Sequence, residues 1–353
     1  ANKAVVRAGY NFCENTDILE SQVMVEQAQM PKGKYRNITG NIATAWGLLA
    51  AAEKAGLPLF LGSYPITPAT DILIELAKHK SLGARVFQAE DEIAGICSAI
   101  GASFAGAMAC TSTSGPGLSL KSEAIGLAVM TELPLVIVDV QRGGPSTGLP
   151  TKTEQSDLTQ ALFGRNGEAP CIVVAASSSA NCFYWAFEAA RLSLETMTPT
   201  ILLTDGYLGN GSQLFRIPKM ADLPKINPPF ATPNDPNYAP YNRDPETLVR
   251  QWALPGMDGL RHRIGGLEKL SGKGSVSTDS ANHEQMVKFR KEKVERVANR
   301  IPNQEVEGAE SADLLVVGWG GTEGALRCAV QELQAEGKSI AFTQFNYIMP
   351  LPK

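Results

Sequence analysis

The sequence predicts an α/β fold in which helices cover both faces of a mostly parallel sheet, and two patterns indicate it. Short, apolar, β-branched runs alternate with helical patterns along residues 57–204, which is typical of strands buried between two helix layers. In addition, the Pro-x-x-Pro turn of residues 62–71 follows one such strand and opens a helix. Free N–H groups at that helix start would lie at the carboxyl edge of the sheet, where open α/β sheets bind ligands.

The first elements are defined by their boundaries and by their apolar spacing. A small-residue helix is predicted over residues 38–56, opened by Thr39 and closed by Gly56, and a buried strand over 57–61. The next helix, over 72–80, places Leu73 and Leu76 on one apolar face.

The remaining elements repeat this alternation. Strands are predicted at 85–88, 107–111, 135–140, 171–175 and 200–204, and helices at 92–104, 118–130, 158–163 and 180–194.

Composition shifts along the chain predict four segments. Residues 1–35, with a short amphipathic helix, are expected to be the tail of a preceding domain and a linker, and 36–210 the main ligand-binding domain. Residues 211–310 are expected to hold a Pro- and Asn-rich excursion, either a wrap over a partner or an active-site cover, and then a charged, solvated connecting helix over 282–299. Residues 311–353 are expected to begin a second, truncated α/β domain, so the chain is predicted to be a fragment.

Composition excludes several classes of protein. The chain has 353 residues, 44% of them hydrophobic, and a formal net charge of −4, so neither nucleic acid binding nor a membrane span is expected. The three histidines are dispersed, and the cysteines show no ligand spacing, so no metal site is expected in this chain. The cysteines are instead predicted to be buried core thiols in a reducing cytoplasm: Cys13, Cys97, Cys110, Cys171, Cys182 and Cys328.

Three consecutive acids, Glu90, Asp91 and Glu92, precede an otherwise apolar helix. Acidic residues favour a helix N-terminus because of its dipole, which explains one or two of them structurally. A carboxylic acid in apolar surroundings can also act as a proton donor or hydrogen-bond partner at neutral pH. These residues by themselves leave the structural and the functional interpretation equally open.

Two further loops carry polar groups to the predicted carboxyl edge. The hydroxyl-rich turn at 111–117, with Ser114 and Gly115, enters a helix but lacks the lysine of a P-loop. The loop at 141–150 places Arg142 directly after a buried strand, at the same edge as Thr67. An arginine there suits bidentate capture of a carboxylate.

Four phrases in order, at residues 62–68, 90–94, 113–120 and 138–151, resemble the 2-oxoacid:acceptor oxidoreductases, specifically the α subunit of the 2-oxoglutarate:ferredoxin type. The resemblance is dense over residues 32–210 and looser to the end. It implies a thiamine diphosphate enzyme that oxidatively decarboxylates a 2-oxoacid to an acyl-CoA and passes electrons to ferredoxin.

The resemblance also implies the division of labour. This chain would supply the pyrimidine-binding half of the cofactor site and the start of a transketolase C-terminal-like domain. A β subunit would hold the diphosphate, its Mg²⁺ and an iron–sulfur cluster, a γ domain would precede this chain, and the fold would pair with itself as a homodimer.

Residue roles follow from the same resemblance. Glu92 is expected to bond the aminopyrimidine and promote its imino tautomer, as the catalytic group. Thr67, Arg142 and Thr147 are expected to hold the 2-oxoacid carboxylate. The residues expected to bind the cofactor are Pro65, Ile66, Glu92, Ser114 and Gly115.

One phrase departs from the pattern, and the substrate stays open. Where members often read Gly-x-Glu-His, this chain reads Gly266, Leu267, Glu268, Lys269, so no histidine role is expected there. Pyruvate, a branched-chain 2-oxoacid or indolepyruvate are alternatives to 2-oxoglutarate. A non-catalytic scaffold subunit is the alternative from another class, against which Glu92 and Arg142 argue.

Overall fold

A computed structural model describes residues 1–16, 23–309 and 311–353, apart from the side chains of residues 13 and 14. It comprises two compact units, residues 1–34 and 35–353. In the first unit, helix α1 spans Asn2–Thr16, and residues 23–34 contain neither helix nor strand.

Helices and strands alternate through the second unit as predicted. The strands are β1 (Tyr35–Thr39), β2 (Leu59–Ser63), β3 (Ala84–Gln88), β4 (Met108–Thr113), β5 (Leu135–Gln141), β6 (Ile172–Ala175), β7 (Pro199–Asp205), β8 (Ser212–Arg216), β9 (Leu314–Trp319), β10 (Ile340–Phe345) and β11 (Tyr347–Met349). The helices are α2 (Gly40–Ala55), α3 (Thr70–Ala77), α4 (Glu92–Phe104), α5 (Gly115–Leu120), α6 (Ser122–Thr131), α7 (Leu158–Phe163), α8 (Cys182–Thr196), α9 (Gly206–Asn210), α10 (Ser280–Glu295) and α11 (Glu323–Ala335). The helix predicted over 118–130 is in fact two helices, α5 and α6, which meet at Lys121.

A seven-stranded sheet in the order β11-β6-β7-β5-β4-β2-β3 forms the centre of this unit. All neighbouring strands are parallel except β11, which pairs antiparallel with β6. Strands β4, β5 and β7 are buried at every residue, as strands between two helix layers must be. The predicted mostly parallel sheet with helices on both faces is confirmed.

Two apolar layers pack against the opposite faces of this sheet. On one face, Leu48 of α2 and Phe183 of α8 join strand residues such as Val138 in one cluster. On the other, Ile96 of α4 and Ile125 of α6 join the alternate strand residues in a second cluster. Because strand side chains alternate between faces, both clusters draw on the same strands.

Two smaller sheets complete the unit. Strands β1 and β8 pair antiparallel, and β9 and β10 pair parallel, with α11 connecting the latter two. The next strand, β11, returns to the edge of the central sheet, where Tyr347 packs edge-on against Trp185 of α8 at 4.8 Å between ring centroids.

The Pro- and Asn-rich excursion after β8 lies along the amino edge of the central sheet, opposite the candidate site. Arg250 donates to the carbonyl of Glu132, just before β5, at 3.2 Å, and the Ile226 amide donates to the carbonyl of Lys54, near the end of α2, at 3.3 Å. Within this chain the excursion therefore does not cover the candidate site at the carboxyl edge. The alternative that it wraps a partner stays a prediction.

Helix α10 is not the solvated connection that its charges predicted. Arg290, Lys293, Met286 and Val294 are all buried: the two cations pair with acids, and Val294 joins the first apolar cluster. Lys293, for example, donates to Glu132 at 2.8 Å.

The cysteine prediction is also corrected in part. Cys110, Cys171 and Cys182 are buried free thiols, but Cys97 and Cys328 are exposed because they lie on the outer faces of α4 and α11. The side chain of Cys13 lies outside the described part.

Among the helices that the structure describes, none is long and apolar enough to cross a membrane.

Candidate functional site

The carboxyl edge of the central sheet collects the segments that the sequence singled out. Parallel pairing places the ends of β2, β4 and β5 side by side, so the loops that follow them meet at one edge. These loops carry Thr67, Ser114 and Arg142 respectively, and α4 begins beside them after β3.

Of the three consecutive acids, only Glu92 is buried, with 8% of its surface exposed, whereas Glu90 and Asp91 are exposed. Asp91 caps α4: its side chain accepts from the Ala94 amide at 2.7 Å, which fixes the first turn. The structural explanation therefore applies to Asp91. Glu92, the first residue of α4, is buried but does not cap the helix, so capping does not explain its carboxyl group.

The start of α5 makes room for Glu92. A Cβ built on Gly117 would lie 2.9 Å from Cγ of Glu92 and would collide with Oγ1 of Thr113. Only glycine at this position allows the two segments to approach so closely. Fully buried Lys121 then donates through Nζ to the Glu92 carbonyl at 3.0 Å.

Lys121 was not among the predicted site residues. Burial lowers its pKa to about 8, against the opposing effect of the charges on Glu92 and Asp91. Its one sequence signal is a lysine between two helical patterns that are otherwise apolar and small.

Arg142 is brought together with two of the residues predicted to act with it. Its Nη1 donates to the carbonyl of Thr67 at 2.6 Å and its Nη2 to the carbonyl of Thr147 at 2.9 Å, while Nε has no partner among the described residues. The side chain is 6% exposed. The contacts therefore involve the threonine backbones rather than their hydroxyl groups.

Arg142 lines a cavity of about 710 Å³ together with Gly115, Thr147 and Asp157. Its lining does not include Glu92, Thr67, Pro65, Ile66 or Ser114. The cavity has the size of a small-molecule site, and charged groups and glycine backbone meet there.

The predicted cofactor residues differ in exposure. The hydroxyl of Ser114 is fully buried and has no hydrogen-bond partner among the described residues. Pro65 and Ile66 are half-buried at the end of β2, with Ile66 packed against the first apolar cluster. Their nearness to the site comes from the β2 turn and not from a shared cavity.

A pair of carboxyl groups under the cavity was missed by the sequence analysis. Asp139, in the middle of β5, is fully buried, and neither of its oxygens has a geometric hydrogen-bond partner among the described residues. Burial, and then the neighbouring Asp157, raises the pKa of Asp139 well above its usual value. The signal was present, since a carboxylate interrupts an apolar strand.

Asp157 stands between that buried acid and the cavity. Its carboxyl lies against Gly115, where an added Cβ would be 2.6 Å from Oδ1. The pKa of Asp157 is raised, because burial and the charge of Glu154 outweigh the lowering effects of Asp139 and Arg142. Two carboxyl groups so placed share a proton more readily than they both ionise.

These features fit a thiamine diphosphate site. A buried carboxyl at a helix start, a glycine that admits it and an unpartnered buried hydroxyl are groups that an aromatic heterocycle with nitrogen donors and acceptors can use. Among the residues that the structure describes, no group of three or more His, Cys, Asp and Glu side chains is placed to hold a metal ion.

Comparison with known proteins identifies the family of this chain. A family described as "Pyruvate flavodoxin/ferredoxin oxidoreductase, thiamine diP-bdg" matches residues 51–278. The chain is 51% identical over 353 residues to the 2-oxoglutarate oxidoreductase subunit KorA of Mycobacterium tuberculosis, covering 100% of this chain and 54% of that relative. It is 36% identical over 317 residues to the 2-oxoglutarate synthase subunit KorA of Methanothermobacter thermautotrophicus, covering 90% of this chain and 82% of that one.

A solved structure is similar over nearly the whole chain. The 2-oxoglutarate:ferredoxin oxidoreductase from Magnetococcus marinus, with 2-oxoglutarate, coenzyme A and succinyl-CoA bound, matches with a TM-score of 0.90 and 37% identity over 98% of this chain and 59% of that one. This chain thus spans little more than half of that protein and of the mycobacterial relative. On the family match and these identities, the chain belongs to the pyruvate flavodoxin/ferredoxin oxidoreductase family and carries its thiamine-diphosphate-binding domain.

Proposed function

We propose that this chain forms the α part of a 2-oxoglutarate:ferredoxin oxidoreductase, which oxidatively decarboxylates the 2-oxoacid to an acyl-CoA. The observation that carries the proposal is the buried carboxyl of Glu92, which begins α4 and is admitted by Gly117. In this assignment residues 36–210 are the pyrimidine-binding domain, and residues 311–353 begin a second α/β domain, similar to the transketolase C-terminal domain. The names of the relatives support 2-oxoglutarate as the substrate.

Thiamine diphosphate, when bound, supplies the electron sink for decarboxylation. The carboxyl of Glu92 would form a hydrogen bond to a pyrimidine nitrogen and exchange a proton with that nitrogen. The buried position of Glu92 allows this exchange. The ring would be flanked by Pro65, Ile66, Ser114 and Gly115. Among these, Ser114 has a hydroxyl without a partner among the described residues, which could form a hydrogen bond to the ring.

Arg142 would hold the 2-oxoacid carboxylate, with Thr67 and Thr147. A guanidinium has five N–H donors, and two backbone carbonyls fix its orientation while leaving donors for the ligand. The carboxylate must leave as carbon dioxide, so this grip should not be stronger in the ground state than in the transition state.

The rest of the machinery is assigned to partners. A β subunit would hold the diphosphate, Mg²⁺ and an iron–sulfur cluster, a γ domain would precede this chain, and coenzyme A and ferredoxin would be the acyl and electron acceptors. The α fold would pair with a second copy. A cytoplasmic location accords with the free thiols of the five described cysteines.

The first test replaces the buried acid. In the full complex, Glu92→Gln should abolish decarboxylation while the subunits still assemble, because the amide cannot exchange the proton. The matched control is Glu90→Gln, two residues earlier and exposed, which should retain turnover. Normal turnover of Glu92→Gln in a cofactor-loaded complex would exclude Glu92 from catalysis.

The second test addresses Arg142. Arg142→Ala should raise the apparent KM for the 2-oxoacid by at least an order of magnitude, since losing a hydrogen bond to a charged group costs about 1.5 to 3 kcal/mol. Arg142→Lys keeps the charge but not the planar fork, so its apparent KM should lie between those of the wild type and Arg142→Ala. An unaltered KM in both variants would remove Arg142 from the substrate site.

Substrate choice is tested with the full-length protein and its β subunit, using coenzyme A and a viologen acceptor. Preference for 2-oxoglutarate over pyruvate, a branched-chain 2-oxoacid and indolepyruvate is expected. Preference for another of these would keep the chemistry and change the pocket. No activity from an assembled, cofactor-loaded complex would favour a scaffold subunit.

A further inference from the structure

A second cavity, of about 530 Å³, lies in the excursion between β8 and α10, away from the carboxyl edge. Its lining contains no Asp or Glu, and its basic members are Arg261, His262, Arg263, Lys269 and Lys273. Below it is called the basic cavity. Four Arg and Lys side chains without an acid distinguish it from an ordinary solvated surface, where opposite charges are interspersed.

The outer basic residues are available to a ligand. Arg261, Arg263 and Lys273 are exposed, and their side chains make no ion pair or hydrogen bond with any residue that the structure describes. His262 is held through Nδ1, which is 2.8 Å from the Leu260 carbonyl, and its buried Nε2 has no partner within the described ranges. The ring is thus oriented while one nitrogen stays free.

Lys269 connects the basic cavity to a buried charge cluster, comprising Glu132, Arg243, Arg250, Lys269 and Lys293. Its Nζ donates to the Met130 carbonyl at 2.9 Å and lies 5.0 Å from the centroid of the Tyr241 ring. Burial lowers the pKa of Lys269 to about 8, although the charges of Glu268 and Glu132 oppose this.

That cluster has more positive than negative charge. Glu132 pairs with Arg243 and with Lys293, the latter at 2.8 Å, and accepts from Arg250 through its carbonyl. Within this cluster Glu132 is the single carboxylate beside four cations, although Glu268, outside the cluster, also acts on Lys269. Buried charges without a counter-charge are unfavourable, so an anion in the adjoining cavity would be stabilised there.

We propose that the basic cavity binds a small phosphorylated polyanion. Its lining has four Arg and Lys side chains and no carboxylate, and two arginine forks with a lysine beside them match several phosphate oxygens. Gly265, Gly266 and Gly274 let ligand atoms approach the backbone, and Ile264 and Pro240 offer apolar surface to an organic part. The volume lies within the range of small-molecule sites.

The test measures tripolyphosphate binding to the full-length chain, assembled with its partner subunit, by titration calorimetry at low ionic strength. Arg261→Ala with Arg263→Ala should weaken binding by roughly tenfold or more, as expected for lost charged hydrogen bonds. Both side chains are exposed, so the fold should persist. Lys269→Arg should keep binding and Lys269→Met should lose it.

The matched control removes two lysines from the exposed side of α10. Lys288→Ala with Lys291→Ala deletes the same net charge from side chains 63% and 72% exposed, and should bind tripolyphosphate like the wild type. An equal loss in this control, or no binding by the wild type, would overturn the proposal. Citrate binding as tightly as tripolyphosphate would overturn the assignment to phosphorylated ligands.

Discussion

Two buried carboxyl groups, that of Asp139 within β5 and that of Glu132 just before it, have opposite surroundings. Asp139 lies next to a second acid, Asp157. Burial and the charge of Asp157 raise the pKa of Asp139 and so favour its protonated form. For Glu132, burial alone would raise the pKa, but Lys293 and Arg243 outweigh it and lower the pKa to about 2. The same chemical group, a carboxyl, is thus favoured as protonated in one place and pairs with cations in the other.

The ion pairs of Glu132 should make the free energy of unfolding fall at low pH. A carboxyl whose folded pKa lies below its unfolded value contributes stability above about pH 4.5, and this is lost as the pH falls toward 2. Glu132→Gln should therefore lower the free energy of unfolding by about 3 to 5 kcal/mol at pH 7, because it leaves buried cations unpaired.

Chemical denaturation at pH 7 and near pH 3 checks this. The difference between wild type and Glu132→Gln should shrink at the lower pH, where the wild-type pairs weaken. Glu284→Gln is the control, since Glu284 pairs with Lys288 in an exposed position and should change stability little. A deficit of equal size at both pH values would contradict the ion-pair explanation.

At the scale of elements, the site depends on how closely α4 and α5 approach. Gly117 lies in the first turn of α5, directly against Glu92, whereas Gly126 in the middle of α6 has no atom within 4 Å of an added Cβ. The two glycines are nine residues apart along the chain but have opposite packing requirements.

Gly117→Ala should displace Glu92 and reduce turnover of the full complex by an order of magnitude or more, because small misplacements of catalytic groups are costly. Gly126→Ala should leave turnover unchanged and stabilise the protein by about 0.5 to 1 kcal/mol, since alanine favours a helix interior. Steady-state kinetics and thermal unfolding of both variants provide the comparison. Full activity of Gly117→Ala would show that Glu92 tolerates a shift.

At the scale of the whole molecule, apolar side chains are exposed around the candidate site. Tyr64 after β2, Ile93 in α4 and Leu120 at the end of α5 are 38%, 50% and 53% exposed. All three lie on elements at the carboxyl edge of the sheet. Exposed apolar groups clustered beside a half-built site are typical of a surface covered by another subunit.

Leu120→Asp should therefore block assembly with the β subunit while the chain itself stays folded. A buried carboxylate without a partner is strongly unfavourable in an interface, but costs little on a solvated surface. Leu333→Asp, on exposed α11, is the control and should assemble normally. Size-exclusion chromatography of the co-expressed subunits distinguishes the two, and normal assembly of Leu120→Asp would place the interface elsewhere.

Local pattern predicted much of this molecule because α/β folds follow local rules. The alternating elements between residues 38 and 204, the helix start at Glu92 and the position of Arg142 at a strand end all depend on a few neighbouring residues. The α5–α6 break was missed because the chain at Lys121 remains nearly helical, with φ −82° and ψ −4°.

Long-range contacts decided the rest. Glu132 and Lys293 are 161 residues apart, and no local pattern shows that the charged helix α10 turns its cations inward to meet that acid. Likewise, only packing determines that Glu92, rather than Glu90, is buried, and that Asp139 meets Asp157. The sequence by itself determined the parallel sheet and its polar edge, because strand and helix periods are local; the tertiary structure decided which charges are buried together, because burial depends on segments distant along the chain.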